Sequence, residues 1–202
     1  YFSKVELAQQ KLFSDHFYIR KNKKIEILPL QFNDLNLIKL SKIKRFFQSD
    51  IYIIFGSSFI KGEIFKFLNK KKAINIHMGV SPYFRGTDCN FWAINDGYPG
   101  LVGATIHYLS NTVDGGEIIY HATSKINKDP FLYTMSSVKS AIDSLVHKIK
   151  KKQIFSITPV KQDFDKQIRY STKKDFTDNI VKKFLKKKFS LFENKKINIK
   201  LI

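Results

Sequence analysis

Two apolar runs decide the fold: Ile51-Tyr52-Ile53-Ile54-Phe55, closed by Gly56-Ser57-Ser58, and Ala73-Ile74-Asn75-Ile76-His77. Each is short, rich in β-branched or aromatic residues and bounded by turn formers, so each reads as a strand. The segment Gly62 to Leu68 between them has helical spacing. A strand, a crossover helix and a second strand give a parallel pair, and such strands are usually buried on both faces. A similar unit precedes it. Ile25 to Leu30 reads as a strand closed by Pro29, and Asp34 can cap a helix carrying Leu35, Leu37, Ile38, Ile43, Phe46 and Phe47. Two successive units predict an α/β fold with an open, mostly parallel, Rossmann-like sheet flanked by helices. Ligands in such sheets bind beyond the carboxyl ends of the strands. The loops Gly56 to Ser58 and His77 to Arg85 are therefore expected to share one cleft.

Downstream, Asn90 to Asn95 reads as a short helix stopped by Asp96-Gly97-Tyr98-Pro99-Gly100. Gly103 to Leu109 and Glu117 to Thr123 read as strands, joined by a connection, Ser110 to Gly116, that contains Asp114. Asp129-Pro130 starts a long helix from Phe131 to Ile149, and Val5 to Arg20 is helix-compatible. Thr177 or Asp178 can cap a helix running to Lys188, with Ile180, Val181, Phe184 and Leu185 on one side and lysines opposite. Such basic amphipathic helices bind membranes or RNA in some proteins; an ordinary packed helix with a solvated face is the favoured reading. The expected division is residues 1–160 as the main domain and 161–202 as a basic C-terminal extension.

Composition narrows the function classes. At 202 residues and 43% hydrophobic, the chain fits one ordinary domain with a sizeable core. No apolar run approaches the roughly 20 residues that span a bilayer, no signal peptide is visible, and a cytoplasmic location is expected. Cys89 is the only cysteine, so neither a disulfide framework nor a zinc cluster can form within the chain, and no metal is expected. The net charge of +19 suggests nucleic acid or an anionic surface. Against that, only Arg20, Arg45, Arg85 and Arg169 are arginines among the 36 basic residues. The excess of lysine beside Ile, Asn and Phe fits compositional drift better than a dedicated nucleic-acid surface.

Chemistry concentrates in the most Gly- and Pro-punctuated region. Asn75, His77 and Asp114 supply an amide, an imidazole and a carboxylate, a polar kit for acyl transfer. One group can hold a carbonyl oxygen, one can move a proton, and one can orient the imidazole. Taken singly, a histidine at a strand end is usually structural and an Asp before Gly-Gly is usually a turn former.

The segment from Ile74 to Gly86 (Ile-Asn-Ile-His-Met-Gly-Val-Ser-Pro-Tyr-Phe-Arg-Gly) resembles the formyltransferases that use N10-formyltetrahydrofolate. Gly103-Ala104-Thr105 resembles the family's G-x-T strand, and Asp114-Gly115-Gly116-Glu117-Ile118 its D-x-G-x-I element. The resemblance implies that Asn75, His77 and Asp114 are the catalytic trio, with His77 as acid/base and Asp114 orienting it. It implies a pterin site between Ser58, Phe59 and Ile60 and the loop Asn111, Thr112, Val113, with Val80 as a further apolar wall. A core role for Phe59 and Ile60 is the alternative. The implied formyl donor is N10-formyltetrahydrofolate, and the implied acceptor is a small-molecule primary amine.

For the acceptor, Tyr83, Arg85 and Trp92 are candidate contacts. Arg85 either holds an anionic group or braces its own loop; Trp92 and Phe91 either stack on a sugar or base or pack internally. His107, His16, His121 and His147 are expected to be structural or exposed. The turn and the following Asn90-Phe91-Trp92 resemble most closely the members that modify nucleotide-linked amino sugars. Methionyl-tRNA or glycinamide ribonucleotide as acceptor, hydrolysis of the donor, and a basic RNA- or membrane-binding protein with an inactive site are the alternatives. A homodimer is compatible with the sequence. The family's opening strand and its Gly-rich turn are missing from these residues, which begin in what resembles the first helix.

Overall fold

The computed structural model describes residues 1–13, 25–187 and 201–202. The order of elements is α1 (Phe2–Phe13), α2 (Leu40–Ile43), β1 (Ile53–Phe55), α3 (Gly62–Lys70), β2 (Ile74–His77), β3 (Phe84–Gly86), α4 (Cys89–Asn95), β4 (Gly103–Tyr108), β5 (Ile118–Thr123), α5 (Pro130–Lys150), β6 (Arg169–Ser171) and α6 (Asp178–Lys186). The far end of the first predicted helix, with His16, lies outside the described residues, as does Lys188.

The central sheet has the order β1-β2-β4-β5. Its β1-α3-β2 unit makes the expected parallel pair, while β2–β4 and β4–β5 are antiparallel. The result is an open mixed α/β sheet flanked by helices. One face of β2 and β4 is apolar: Ile74, Ile76, Ala104 and Ile106 pack against Ala141 and Leu145 of α5. A buried strand pair of this kind puts alternate residues on the other face. There stand Asn75, His77, Thr105 and His107.

Three local expectations change. First, Ile25 to Leu30 forms no strand. Ile25 and Ile27 are exposed, and Pro29 removes a donor that a ladder would use. Second, the helix expected from Asp34 breaks into 3-10 turns at Asp34–Asn36 and Lys44–Phe46 around the short α2. Local side chains explain the break. Asp34 accepts from the N–H of Gln31 instead of capping, and Asn33 takes a left-handed φ of 78°. Asn36 is drawn to the turn before α3, donating to the Phe59 carbonyl (2.8 Å) and accepting from the N–H of Lys61 (2.6 Å). Third, β1 is not buried on both faces: Ile53 and Phe55 are 48% and 47% exposed, as befits the outermost strand of the described sheet.

Other elements follow the sequence closely. The Asp129 carboxylate accepts from the N–H groups of Phe131 and Leu132, with Pro130 at the first helical position, so α5 begins at the expected cap. Thr177 caps α6 through the N–H of Ile180.

The boundary placed at residue 160 does not appear as a structural break. Strand β6 pairs in parallel with β3, with Gly86 opposite Ser171. Phe184 of α6 is 2% exposed and stacks within an aromatic cluster against Phe91 and Phe131, at 4.5 and 6.2 Å between ring centroids. The expected packed helix is present, but its apolar side completes the main core. Phe184→Ala should therefore destabilise the whole chain by about 3–5 kcal/mol. Urea unfolding followed by far-ultraviolet circular dichroism should show one transition moved to lower denaturant. A main transition left in place would mean that α6 is a detachable extension.

Candidate active site

Strand register assembles the polar face. Asn75 of β2 stands opposite His107 of β4, and His77 opposite Thr105. Directly opposed residues on one sheet face lie close enough to touch. Asn75 Nδ2 is 3.1 Å from His107 Nε2, while His107 Nδ1 donates to the Tyr108 carbonyl at 2.8 Å. A single N–H at Nδ1 leaves Nε2 as an acceptor, so Asn75 donates to it. The β4–β5 register is irregular between Ile106 and His107. Such bulges re-aim side chains. His107 is buried, and this burial, reinforced by the charge of His77, lowers its pKa to about 4.

Thr105 explains the G-x-T element. Its hydroxyl donates to the Gly79 carbonyl (2.6 Å) and accepts from the N–H of Ser81 (2.8 Å). It thus fixes the turn that leaves the end of β2.

His77 carries the opposite electrostatics. Its Nδ1 lies 3.3 Å from Asp114 Oδ1, and its Nε2 lies 3.1 Å from the Phe84 carbonyl. With an acceptor at each ring nitrogen, the imidazolium form is favoured. Burial alone would lower the pKa. The hydrogen bond and charge of Asp114, aided by Cys89, more than offset burial and raise it to about 10. The Asp114 carboxyl is held below its usual range: burial pushes it up, but His77 and the N–H of Gly86 outweigh that.

Asp114 sits at a φ of 50°, a left-handed conformation that Asp tolerates better than most residues. The loop around it is clamped at several points. Arg85 Nη2 donates to the Val113 carbonyl (2.6 Å) and its Nη1 to Gln167 (3.0 Å), with Phe164 stacked 4.2 Å from the guanidinium. The Gln162 amide donates to the carbonyls of both Asp114 and Gly116, at 2.7 Å each. Gly116 admits no side chain, since a Cβ there would collide with the Tyr108 carbonyl.

The cleft beside these residues has a volume of about 540 Å³. Asn75, His77, His107 and Asp114 line it, as do Ser58, Phe59, Ile60, Thr112 and Val113; Ile60 is also buried in a core cluster with Ile43, Ile64 and Leu68, the alternative expected for it. The loops after β1 and β2 thus do share one cavity. Val80 and Asn111 are not among the lining residues, and Val80 is buried in the core.

The acceptor candidates fare differently. Tyr83 and Trp92 are core residues, packed with Phe84, Phe91 and Leu101. The indole lies under Arg169, 4.2 Å from its guanidinium. Arg85 was expected to hold an anionic group or to brace its own loop; it braces the Asp114 loop instead. The wall facing the cleft comes instead from Gly86, Thr87, Tyr170, Ser171, Thr172 and Lys173.

His107 was the signal to find from sequence. It stands two positions after Thr105, as His77 stands two after Asn75, and strand parity puts all four on one face. Gln162 carried no comparable signal, because only the tertiary fold brings it to the loop. His121, also expected to be bland, accepts from the N–H of Ile202 at Nδ1 and donates from Nε2 to the Ser81 carbonyl.

Stability should depend on pH in two opposed ways. The raised His77 pKa gives stability that is full below pH ~6.5 and is lost as pH climbs toward 10. The lowered pKa values of His107 and His121 act on the acid side: the unfolded chain takes up protons there that the folded chain refuses, so stability falls as pH drops below ~6.5. Urea midpoints measured from pH 4.5 to 9.5 should peak near neutrality. Asp114→Asn should abolish the alkaline decline and leave the acid one.

Comparison with known proteins follows the same lines. The formyl transferase family model matches residues 31–154. A methionyl-tRNA formyltransferase from Limosilactobacillus fermentum is 35% identical over 104 residues, covering 50% of this chain and 32% of that protein. The chain therefore spans about a third of that relative's length. Among solved structures, the formyltransferase PseJ from Anoxybacillus kamchatkensis superposes with a TM-score of 0.53 at 22% identity, covering 84% of this chain and 82% of its own. A 4-N formyltransferase from Francisella tularensis gives 0.54 at 22% identity, covering 83% and 63%. These likenesses are in fold. With its family model spanning well over half the residues, the chain belongs to the formyl transferase family.

Proposed function

We propose that this chain transfers a formyl group from N10-formyltetrahydrofolate to the primary amine of a nucleotide-linked amino sugar. The observation that carries the proposal is the convergence of Asn75, His77 and Asp114 on one cleft with His77 held as a cation. A carbonyl attacked by an amine gathers negative charge on its oxygen. Asn75 can donate to that oxygen, and a protonated His77 can do so once its Nε2–H exchanges the Phe84 carbonyl for it. Asp114 keeps the imidazole charged and oriented, and the same imidazole can pass a proton to the departing nitrogen.

The residues fit the formyl donor. A bicyclic pterin needs an apolar slot edged by polar groups, and Phe59, Ile60, Thr112 and Val113 all line this cleft. Ser58 and the main chain of both loops supply polar edges. Once bound there, the donor supplies the activated formyl carbon; the protein supplies orientation, charge stabilisation and proton transfer. The opposite wall, with Thr87, Tyr170 and Lys173, is where the acceptor would enter. Lys173 offers a cation for phosphate, and Tyr170 a ring for a base or sugar.

The amino-sugar acceptor is supported by the company this fold keeps. The Anoxybacillus structure was solved with a UDP-linked formamido sugar and tetrahydrofolate, and the Francisella protein is a 4-N formyltransferase. A second acceptor is favoured by the Limosilactobacillus relative, a methionyl-tRNA formyltransferase. The assay should therefore offer the purified chain N10-formyltetrahydrofolate with nucleotide-linked amino sugars, glycinamide ribonucleotide or methionyl-tRNA, and no amine at all. The expected outcome is amine-dependent formylation of a nucleotide-linked sugar. Formate release without amine would favour the hydrolase, and no turnover with a folded sample would defeat the proposal. His77→Ala and Asp114→Asn should each lower kcat by about 10²–10⁴-fold, and Asn75→Ala by about 10²–10³-fold, in samples that circular dichroism shows to be folded at the assay temperature.

A further inference from the structure

We propose that His107 is a positioning residue for this reaction: as a neutral imidazole it fixes the Asn75 amide with its N–H side toward the cleft. The inference rests on the formyl-transfer reading above. An asparagine amide has two faces of opposite chemistry, and an oxyanion is stabilised only by the N–H face. Something must stop the amide from turning over.

The contacts of His107 do so. Its Nδ1–H is committed to the Tyr108 carbonyl at 2.8 Å, so Nε2 can only accept. Asn75 Nδ2 supplies that bond at 3.1 Å, using one of its two hydrogens. The other hydrogen stays with the cleft, which both residues line. Cross-strand register and the bulge at Ile106/His107 place the ring, and it is fully buried.

Protonation would reverse the arrangement. A charged His107 donates from both nitrogens and would demand the carbonyl face of Asn75. The amide would turn, putting an acceptor where a donor is needed. The charged groups facing the ring are His77, Arg85 and Asp114. The two cations disfavour a second positive charge, and only the carboxylate favours it. Burial adds to the cations' effect. The site thus keeps one imidazole charged and its neighbour neutral.

The test compares wild type, His107→Gln and His107→Phe in the formylation assay from pH 5 to 8.5. Gln can still accept from Asn75 and does not titrate; Phe can do neither. At pH 7.5, His107→Phe should lose about 10- to 100-fold in kcat with little change in KM. His107→Gln should retain more. The ratio of wild-type to Gln-variant rates cancels the titration of the acceptor amine itself. That ratio should stay level across this range, because the buried His107, with its pKa lowered to about 4, remains neutral throughout. A ratio that falls several-fold between pH 8.5 and pH 5, which would mean that His107 is charged there, or a Phe variant with wild-type kcat, would overturn the proposal. A folded wild type that formylates no amine would instead overturn the underlying reaction. Nitrogen-15 NMR of the free wild-type protein gives an activity-independent check: His107 should carry its proton on Nδ1 at pH 7, and a proton on Nε2 would also overturn the proposal.

Discussion

The pairing of β2 with β4 is the constraint on which the rest of the molecule depends. One register sets Asn75 against His107 and His77 against Thr105, and the alternation of side chains does the remainder. The apolar set points to α5 and pays for the burial of the polar set on the reverse side. Shifting the ladder by one residue would bury the imidazoles against Ala141 and Leu145 and turn isoleucines into the cleft. The geometry of the polar cleft and hydrophobic packing are therefore one decision, taken at the level of strand pairing.

Around this ladder the structure separates two histidines by environment. His77 meets a carboxylate and a carbonyl, while His107 meets a carbonyl and an amide donor. Both are buried, and desolvation acts on both in the same direction. The difference lies in Asp114, whose loop reaches His77 at bonding distance and His107 only through its field. That loop is held by main-chain carbonyls bonded to Arg85 and Gln162 and by the Gly86 N–H on the carboxylate. The charge of His77 is thus set in part by residues far away in sequence.

Much of this was legible before any coordinates. The parallel β1-α3-β2 unit, the cap at Asp129, the strands bracketing Asp114 and the grouping of Asn75, His77 and Asp114 all follow from local patterns. Those patterns are periodicity, turn residues and motif order. Misreadings arose where tertiary partners compete with local ones. Asn36 left its helix for the Phe59 carbonyl and the Lys61 N–H. Tyr83 and Trp92 have surface-compatible chemistry but sit in the aromatic core with Phe184. Arg85 was legible as a charge and not as a clamp, because its partners Val113 and Gln167 become neighbours only after folding. The role of residues beyond 160 was hidden for the same reason: nothing in a lysine-rich tail announces a strand that will pair with Phe84 to Gly86.

The bond pair made by Gln162 has a mechanical corollary. One side-chain nitrogen joins the carbonyls of Asp114 and Gly116, so the peptide between them is pinned like a staple across a bend. Opening that bend requires breaking both links together. The carboxylate end of the dyad is then a stationary anvil, whereas Phe32, Phe55 and Phe59, which also line the cleft, are 79%, 47% and 42% exposed and carry no such staple to that bend among the described residues.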